Sequence, residues 1–210
     1  GDGAYDLVAG YAATIPNLIG DNIFLDWNKM KYNDFTKPWW CEQAVEEFTI
    51  NGKCFMVTGD ISLTLWERMR CMMYNKRLAA EYGGPDLYDV VAEGNWTLDE
   101  LGSVTKNVWT DLDGDGKKSK DDRFGFMINY SNAADNLKEA FEIYVTKKGD
   151  DGLPKLTFMN ERTQRALEKL NTYFATNDVL FSADIDEYDT LSKKAFREGR
   201  AMIVALNLGS

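Results

Sequence analysis

The sequence predicts an α/β fold. Short apolar runs of strand length alternate with amphipathic helical patterns, and glycine, asparagine and aspartate turns punctuate them. A content of 44% hydrophobic and 13% aromatic residues supplies a sizeable core. Such alternation favours strands covered by helices, and the composition excludes a disordered chain. At about 150 residues per domain, 210 residues suffice for one large core or two lobes.

The elements follow in order. Tyr5-Asp6-Leu7-Val8-Ala9-Gly10 reads as a short buried strand closed by glycine. Residues 11–40 have weak periodicity but gather Phe24, Trp27, Tyr32, Phe35, Trp39 and Trp40. A hairpin is expected where Phe48-Thr49-Ile50 and Lys53-Cys54-Phe55-Met56-Val57 flank Asn51-Gly52, because Asn-Gly supplies the positive φ angles of a type I′ turn. Arg68 to Tyr74 reads as a strand, with Met69, Met72 and Met73 as packing residues. Thr97 caps a helix, Glu100 completes a capping box, Trp96 staples onto Leu101, and Val104 and Val108 continue the apolar face. Leu137, Ala140, Phe141, Tyr144 and Val145 predict a second amphipathic helix. Ala166, Leu167, Leu170, Tyr173 and Phe174 predict a third, with Glu161 and Arg165 paired one turn apart. Phe196 and Gly199 mark a helix stop, and Ala201 to Leu206 is a final buried strand.

Charge and composition remove several functions. With 34 acidic against 24 basic side chains the net charge is −10. That field repels a nucleic-acid backbone, so no nucleic-acid partner is expected. No run approaches the roughly 18 apolar residues of a membrane-spanning helix. The opening Gly1-Asp2-Gly3-Ala4 lacks the basic and apolar regions of a signal peptide. The absence of histidine eliminates Ser-His-Asp triads, Cys-His dyads and His-ligated zinc. Cys41, Cys54 and Cys71 have no C-x-x-C spacing, so they are expected as buried thiols, with a Cys41–Cys54 bridge as the alternative.

The sharpest motif spans residues 111–122. Asp111, Asp113 and Asp115 occupy positions 1, 3 and 5, Gly116 position 6 and Asp122 position 12 of a calcium-type loop. A hard cation takes six or more oxygens, and the glycine allows the turn that folds them around one point. Lys117 would add its backbone carbonyl and Ser119 a hydroxyl or a bridging water. Aspartate instead of glutamate at position 12 weakens bidentate ligation, a departure that dockerin-type loops tolerate. Calcium here is expected to be structural.

Tryptophan and tyrosine rings stack on the apolar faces of sugars, while carboxylates and amides take the hydroxyls. Trp39, Trp40 and Trp66, with Asp60, are candidates for such a platform.

Read in order, these segments resemble the extracellular solute-binding proteins of ABC sugar importers, the family that includes maltose-binding protein. The resemblance rests on Gly3-Ala4-Tyr5-Asp6-Leu7-Val8, Lys37-Pro38-Trp39-Trp40, Ile50-Asn51-Gly52-Lys53 and Gly59-Asp60. It continues through Met73-Tyr74-Asn75-Lys76-Arg77-Leu78, Asn95-Trp96-Thr97, Asp122-Arg123-Phe124-Gly125-Phe126 and the F-x-x-G-x-A-M of Phe196 to Met202. It implies a periplasmic-binding-protein-like (type II) clamshell, here incomplete: part of the N-terminal lobe over residues 1–58 and most of the second lobe over 59–210. It also implies a non-catalytic receptor for a sugar or oligosaccharide, a membrane permease as partner, and an extracellular, periplasmic or lipid-anchored surface location. Ligand residues implied at strand ends and the crossing are Tyr11, Trp39, Trp40, Asp60, Tyr130, Asn132 and Asn207, beside the Trp66 proposed above for stacking. Two other classes fit the residues: a carbohydrate hydrolase working through a carboxylate pair, and a calcium-stabilised adhesion module.

Overall fold

Ala201–Asn207, the longest of the apolar runs that become strands, lies almost wholly buried, and the main sheet is built around it. The structure, a computed structural model, describes residues 5–12, 14–129, 134–182 and 185–209. In chain order, two 3₁₀ turns (Ile15–Asp21 and Trp27–Lys29) precede α1 (Glu42–Phe48), β1 (Thr49–Ile50) and β2 (Lys53–Cys54). Next come α2 (Leu63–Glu67), β3 (Arg70–Tyr74), α3 (Lys76–Glu81), α4 (Leu87–Ala92), α5 (Leu98–Thr105) and β4 (Phe124–Asn129). The rest is α6 (Ala134–Ala140), β5 (Thr146–Lys148), β6 (Pro154–Leu156), α7 (Glu161–Phe174), β7 (Val179–Ser182), α8 (Ile185–Arg197) and β8 (Ala201–Asn207). The fold is therefore mixed α and β, as the alternation of patterns predicts.

Two units are distinguished. One comprises Gly1–Leu63 with Lys148–Lys155, the other Thr64–Lys147 with Leu156–Ser210. The division thus falls inside α2, β5 and β6, and the hairpin tip at 148–155 groups with the first unit.

The second unit holds a four-stranded sheet in the order β3-β8-β4-β7. β8, β4 and β7 are parallel, and β3 runs antiparallel to β8. Phe126, Ile128, Val179, Ile203 and Ala205 pack with Leu78, Leu87 and Leu101 from the short helices. Phe124, Met127, Val204 and Leu206 pack with Tyr188 and Ala195 of α8. Both faces being covered explains why β4 is apolar at nearly every position rather than at alternate ones. Tyr188 is fully buried, and its hydroxyl lies 2.7 Å from the carbonyl of Met127 and 3.1 Å from that of Ala205, bridging β4 and β8.

Gly125 shows why one position in this sheet must be small. A Cβ there would stand 2.6 Å from the carbonyl oxygen and the Cβ of Thr105, where the end of α5 crosses β4. Helix starts follow their caps: Thr97 accepts from the Glu100 N–H at 3.2 Å, and Asn160 from that of Thr163 at 3.0 Å. The Glu161–Arg165 pair forms at 3.3 Å on the surface of α7. Gly199, at φ 71°, ends α8, with Arg200 N–H donating back to Ala195.

Two helices stop earlier than their apolar patterns predict. α5 ends at Thr105, and Asn107 takes φ 63°, so Val108 is buried in the following loop. α6 ends at Ala140, because Glu142 adopts φ 53° and Ile143 N–H reaches back to Lys138, the pattern of a Schellman stop. Tyr144 and Val145 then lead into β5 rather than continuing a helix.

The first unit is organised by turns. Asn51 at φ 48° and Gly52 at φ 74° close the expected β1–β2 hairpin. Its second strand ends at Cys54 rather than continuing to Val57. The Asp26 carboxylate accepts from the N–H groups of Asn28 and Cys54, both at 3.1 Å, and Asn28 Nδ2 donates to Gly52 at 3.1 Å. Trp40 meets Phe35 and Trp27 edge-on at centroid distances of 5.4 and 6.3 Å. The expected strand at Tyr5 to Gly10 does not form: no strand pairs with these residues, and Tyr5, Leu7 and Val8 are exposed. All three cysteines are free thiols, Cys54 buried and Cys41 and Cys71 half-buried.

Candidate functional site

Two groups of sequence-selected residues stand in the second unit, and a third in the first. In the first unit a bridge pairs Trp40 with Gly59, and the Asp60 N–H donates to the Trp39 carbonyl at 2.8 Å. Glycine is required there, since a Cβ on residue 59 would lie 2.0 Å from that carbonyl oxygen. This crossing brings Trp39 and Asp60 together through the backbone, both exposed. Trp40 is half-buried, its ring turned onto Phe35 and Trp27. Tyr11 is exposed, with its carbonyl accepting from Thr14.

In the second unit the carboxyl ends of the three parallel strands all carry a polar residue: Asn129 on β4, Ser182 on β7 and Asn207 on β8. Asn129 and Ser182 face each other in register. Met127 faces Val204, so Asn207 ends β8 one residue beyond the level of Asn129. β3 runs the other way and brings Arg70, its first residue, directly opposite Asn207. Beyond the ladder, Leu208 N–H donates to Met69 at 2.8 Å and Gly209 N–H to Glu67 at 3.1 Å. Those bonds hold the end of α2, and with it the half-exposed Trp66, beside the end of β8.

In open sheets with parallel strands, ligands bind outside the carboxyl ends of those strands, where loops are free to carry polar groups. Asn207 fits such a role: its Oδ1 is buried and has no hydrogen-bond partner. A buried acceptor left unpaired costs about 1–3 kcal/mol, which a ligand hydroxyl would recover. Tyr130 and Asn132, expected just past β4, lie outside the described residues. Arg70, Asn129 and Ser182 were not selected from the sequence. Their signal is a single polar residue at the end of an apolar run, as in Phe-Gly-Phe-Met-Ile-Asn and Val-Leu-Phe-Ser.

The second group is the acidic loop. Oxygens of Asp111, Asp113 and Asp115 lie within 4.8 Å of one another. Oxygens bound to one calcium at 2.3–2.6 Å can be at most about 5 Å apart, so this spacing fits that ion. Asp111 accepts from Gly114 and Gly116 N–H groups, both at 2.7 Å, which hold its carboxyl below the usual value. At Asp113 the Asp115 N–H pulls the pKa down, but desolvation and the charges of Asp115 and Asp111 together push it up. Lys117 follows as the residue whose N–H closes the turn on Asp115 at 2.7 Å.

Asp122 is placed differently. It is fully buried, one oxygen accepting from Leu112 N–H at 3.1 Å and the other from Ser119 N–H at 2.8 Å, and it is not among the three clustered carboxylates. Its part in this geometry is to close the loop on itself. The loop is also tied outward. Lys118 Nζ donates to Thr176 at 3.0 Å, Lys120 pairs with Glu187 at 2.6 Å, and Arg200 donates to the Lys120 carbonyl at 3.1 Å.

Comparison with protein-family models, with curated proteins and with solved structures finds no match. No described helix is long and apolar enough to cross a membrane.

Proposed function

We propose that this protein is a carbohydrate-binding receptor of an ABC importer, capturing an extracellular sugar or oligosaccharide for a membrane permease without chemical turnover. The observation that carries the reading is the polar rim at the carboxyl ends of β4, β7 and β8, with the unpaired Asn207 oxygen and Trp66 beside it. An amide acceptor, with a half-exposed indole on the helix tied to the same chain end, matches sugar chemistry, since hydroxyls need acceptors and the apolar ring face needs a flat partner. The collinear resemblance to solute-binding proteins supports the same reading. On that reading the first unit is part of one lobe of a type II clamshell and the second unit most of the other.

A panel of oligosaccharides tests this. At least one should raise the melting temperature and titrate with measurable heat, because a ligand that binds only the folded chain stabilises it. Asn207→Ala should weaken that binding about tenfold, in line with loss of one net hydrogen bond. Chromogenic glycosides should be bound or ignored but not cleaved; turnover would establish the hydrolase instead.

The acidic loop is read as a structural calcium site through Asp111, Asp113, Asp115 and the Lys117 carbonyl, with Asp122 closing the loop. Desolvation and the charges of Asp115 and Asp111 together raise Asp113, and a divalent cation would relieve the charge repulsion. Calcium should raise the melting temperature of the protein and a chelator lower it. No response at millimolar calcium would remove the ion from the account and leave the receptor reading untouched.

A further inference from the structure

The polar rim contains one group that a neutral sugar does not need. Arg70 opens β3, is half-buried, and stands opposite Asn207 in the antiparallel register. Directly opposed residues of such a pair project from the same face of the sheet, with Cβ atoms about 5 Å apart. The other half-buried arginines of the second unit each have a polar partner, though not at every nitrogen: Arg200 pairs with Glu198 at 2.9 Å, and Arg123 reaches the Tyr82 hydroxyl at 3.5 Å while its Nε stays buried and unpaired. Among the described residues Arg70 meets no carboxylate and donates to no acceptor. Its charge is nevertheless felt locally, opposing the upward push that burial gives the Cys71 thiol.

A half-buried guanidinium with no carboxylate beside it among the described residues can take an anion on its two-pronged fork. The neighbouring Asn207 oxygen accepts, whereas Arg70 only donates. Side by side, the two groups are complementary to a ligand that presents a carboxylate and a hydroxyl a few ångströms apart. Uronic acids have that arrangement on one pyranose ring. Resting on the receptor reading above, we infer that the ligand is an acidic oligosaccharide, a uronate whose carboxylate is held by Arg70 and whose ring hydroxyl is held by Asn207. The net charge of −10 does not oppose this at contact. Charges more than a Debye length away, about 8 Å at physiological salt, are largely screened.

The test compares uronate-containing oligosaccharides with their carboxyl-reduced, neutral counterparts of the same linkage and length. Binding is followed by calorimetry on the wild-type protein, Arg70→Gln and Arg70→Lys. Wild type should bind the acidic member at least tenfold tighter than the reduced one, and raising the salt should weaken only the acidic complex. Arg70→Gln should lower acidic affinity about ten- to hundredfold, the range of a hydrogen bond to a charged group, and should weaken neutral binding far less. Arg70→Lys keeps the charge but not the fork, so it should recover part of the loss; it also serves if Arg70→Gln does not fold. Equal binding of both sugars, with no effect of either variant, would overturn the acidic ligand while leaving the receptor reading in place. Failure of every sugar, acidic and neutral, would overturn the receptor reading itself.

Discussion

The two units use similar side chains to different ends. In the second, Phe126, Met127, Ile128, Ile203 and Val204 are completely buried between layers of helices. In the first, Tyr5, Leu7, Val8, Tyr11, Ile23, Leu25 and Tyr32 are each more than half exposed, and Cys54 is the one fully enclosed apolar residue among those described. Apolar content therefore does not by itself make a core. The second unit has strands that pair, and each pairing gives apolar side chains a shared face to fill. The first has a two-residue hairpin and 3₁₀ turns, held by Asp26, Asn28 and the Trp40 cluster.

The largest expected effect breaks the comparison at its strongest point. Phe126→Ala removes a fully buried ring from the second unit and should cost about 3–5 kcal/mol. Leu25→Ala, at a position 73% exposed in the first unit, should cost less than about 0.5 kcal/mol. Denaturant midpoints of the two variants measure both. Similar losses would show that Leu25 is covered in solution.

Glycines come next. Gly125→Ala and Gly59→Ala each drive a methyl into backbone, at 2.6 and 2.0 Å respectively, and overpacking of this kind costs about 1–3 kcal/mol. The consequence should differ by unit. Gly125→Ala should lower the main unfolding transition, whereas Gly59→Ala should loosen the Trp39–Asp60 crossing and leave the main transition in place. Amide exchange separates them: residues 126–129 and 202–206 should lose protection in the first variant only.

A smaller loss is expected from Tyr188→Phe. The ring stays, but the Met127 and Ala205 carbonyls lose the one hydroxyl that bridges them. The cost should be about 1–2 kcal/mol, read as a shift in midpoint with unchanged denaturant slope.

The smallest effect is a pH dependence at high pH. Desolvation, with help from the hydrogen bond to Asp86 at 2.8 Å, pushes the Tyr74 hydroxyl from 10.0 up to about 12. Its folded pKa is raised, so the stability it contributes is complete below pH 10 and is lost as the pH climbs towards 12. Tyrosinate absorbance should show one late-titrating group in this range that disappears in Tyr74→Phe. Titration of all partly exposed tyrosines near 10 would contradict it.

Local chemistry explains what was readable in advance. The Asn51-Gly52 turn, the Thr97 cap, the Glu161–Arg165 pair and the Gly199 stop each depend on residues within a few positions of one another, and each is found. Tyr5 to Gly10 reads as a strand yet forms none, because a strand exists only through a neighbour and propensity does not supply one. The pattern from Leu137 to Val145 reads as one helix yet breaks at Ala140, because Glu142 takes a left-handed conformation that its side chain does not announce.

By itself the sequence determined the α/β class, the turns and caps, the buried character of β8, and the carboxylate spacing of the 111–122 loop. These are matters of periodicity, backbone preference and short-range spacing, all carried by neighbours along the chain. The tertiary structure decided which strand lies beside which, and so that Arg70 faces Asn207 and Asn129 faces Ser182. It also decided that Asp122 is buried on Leu112 and Ser119, outside the carboxylate cluster. Contacts between residues as distant as Cys71 and Leu206, 135 positions apart, follow from strand order and register. Those are set only when two separate faces are packed against the same sheet.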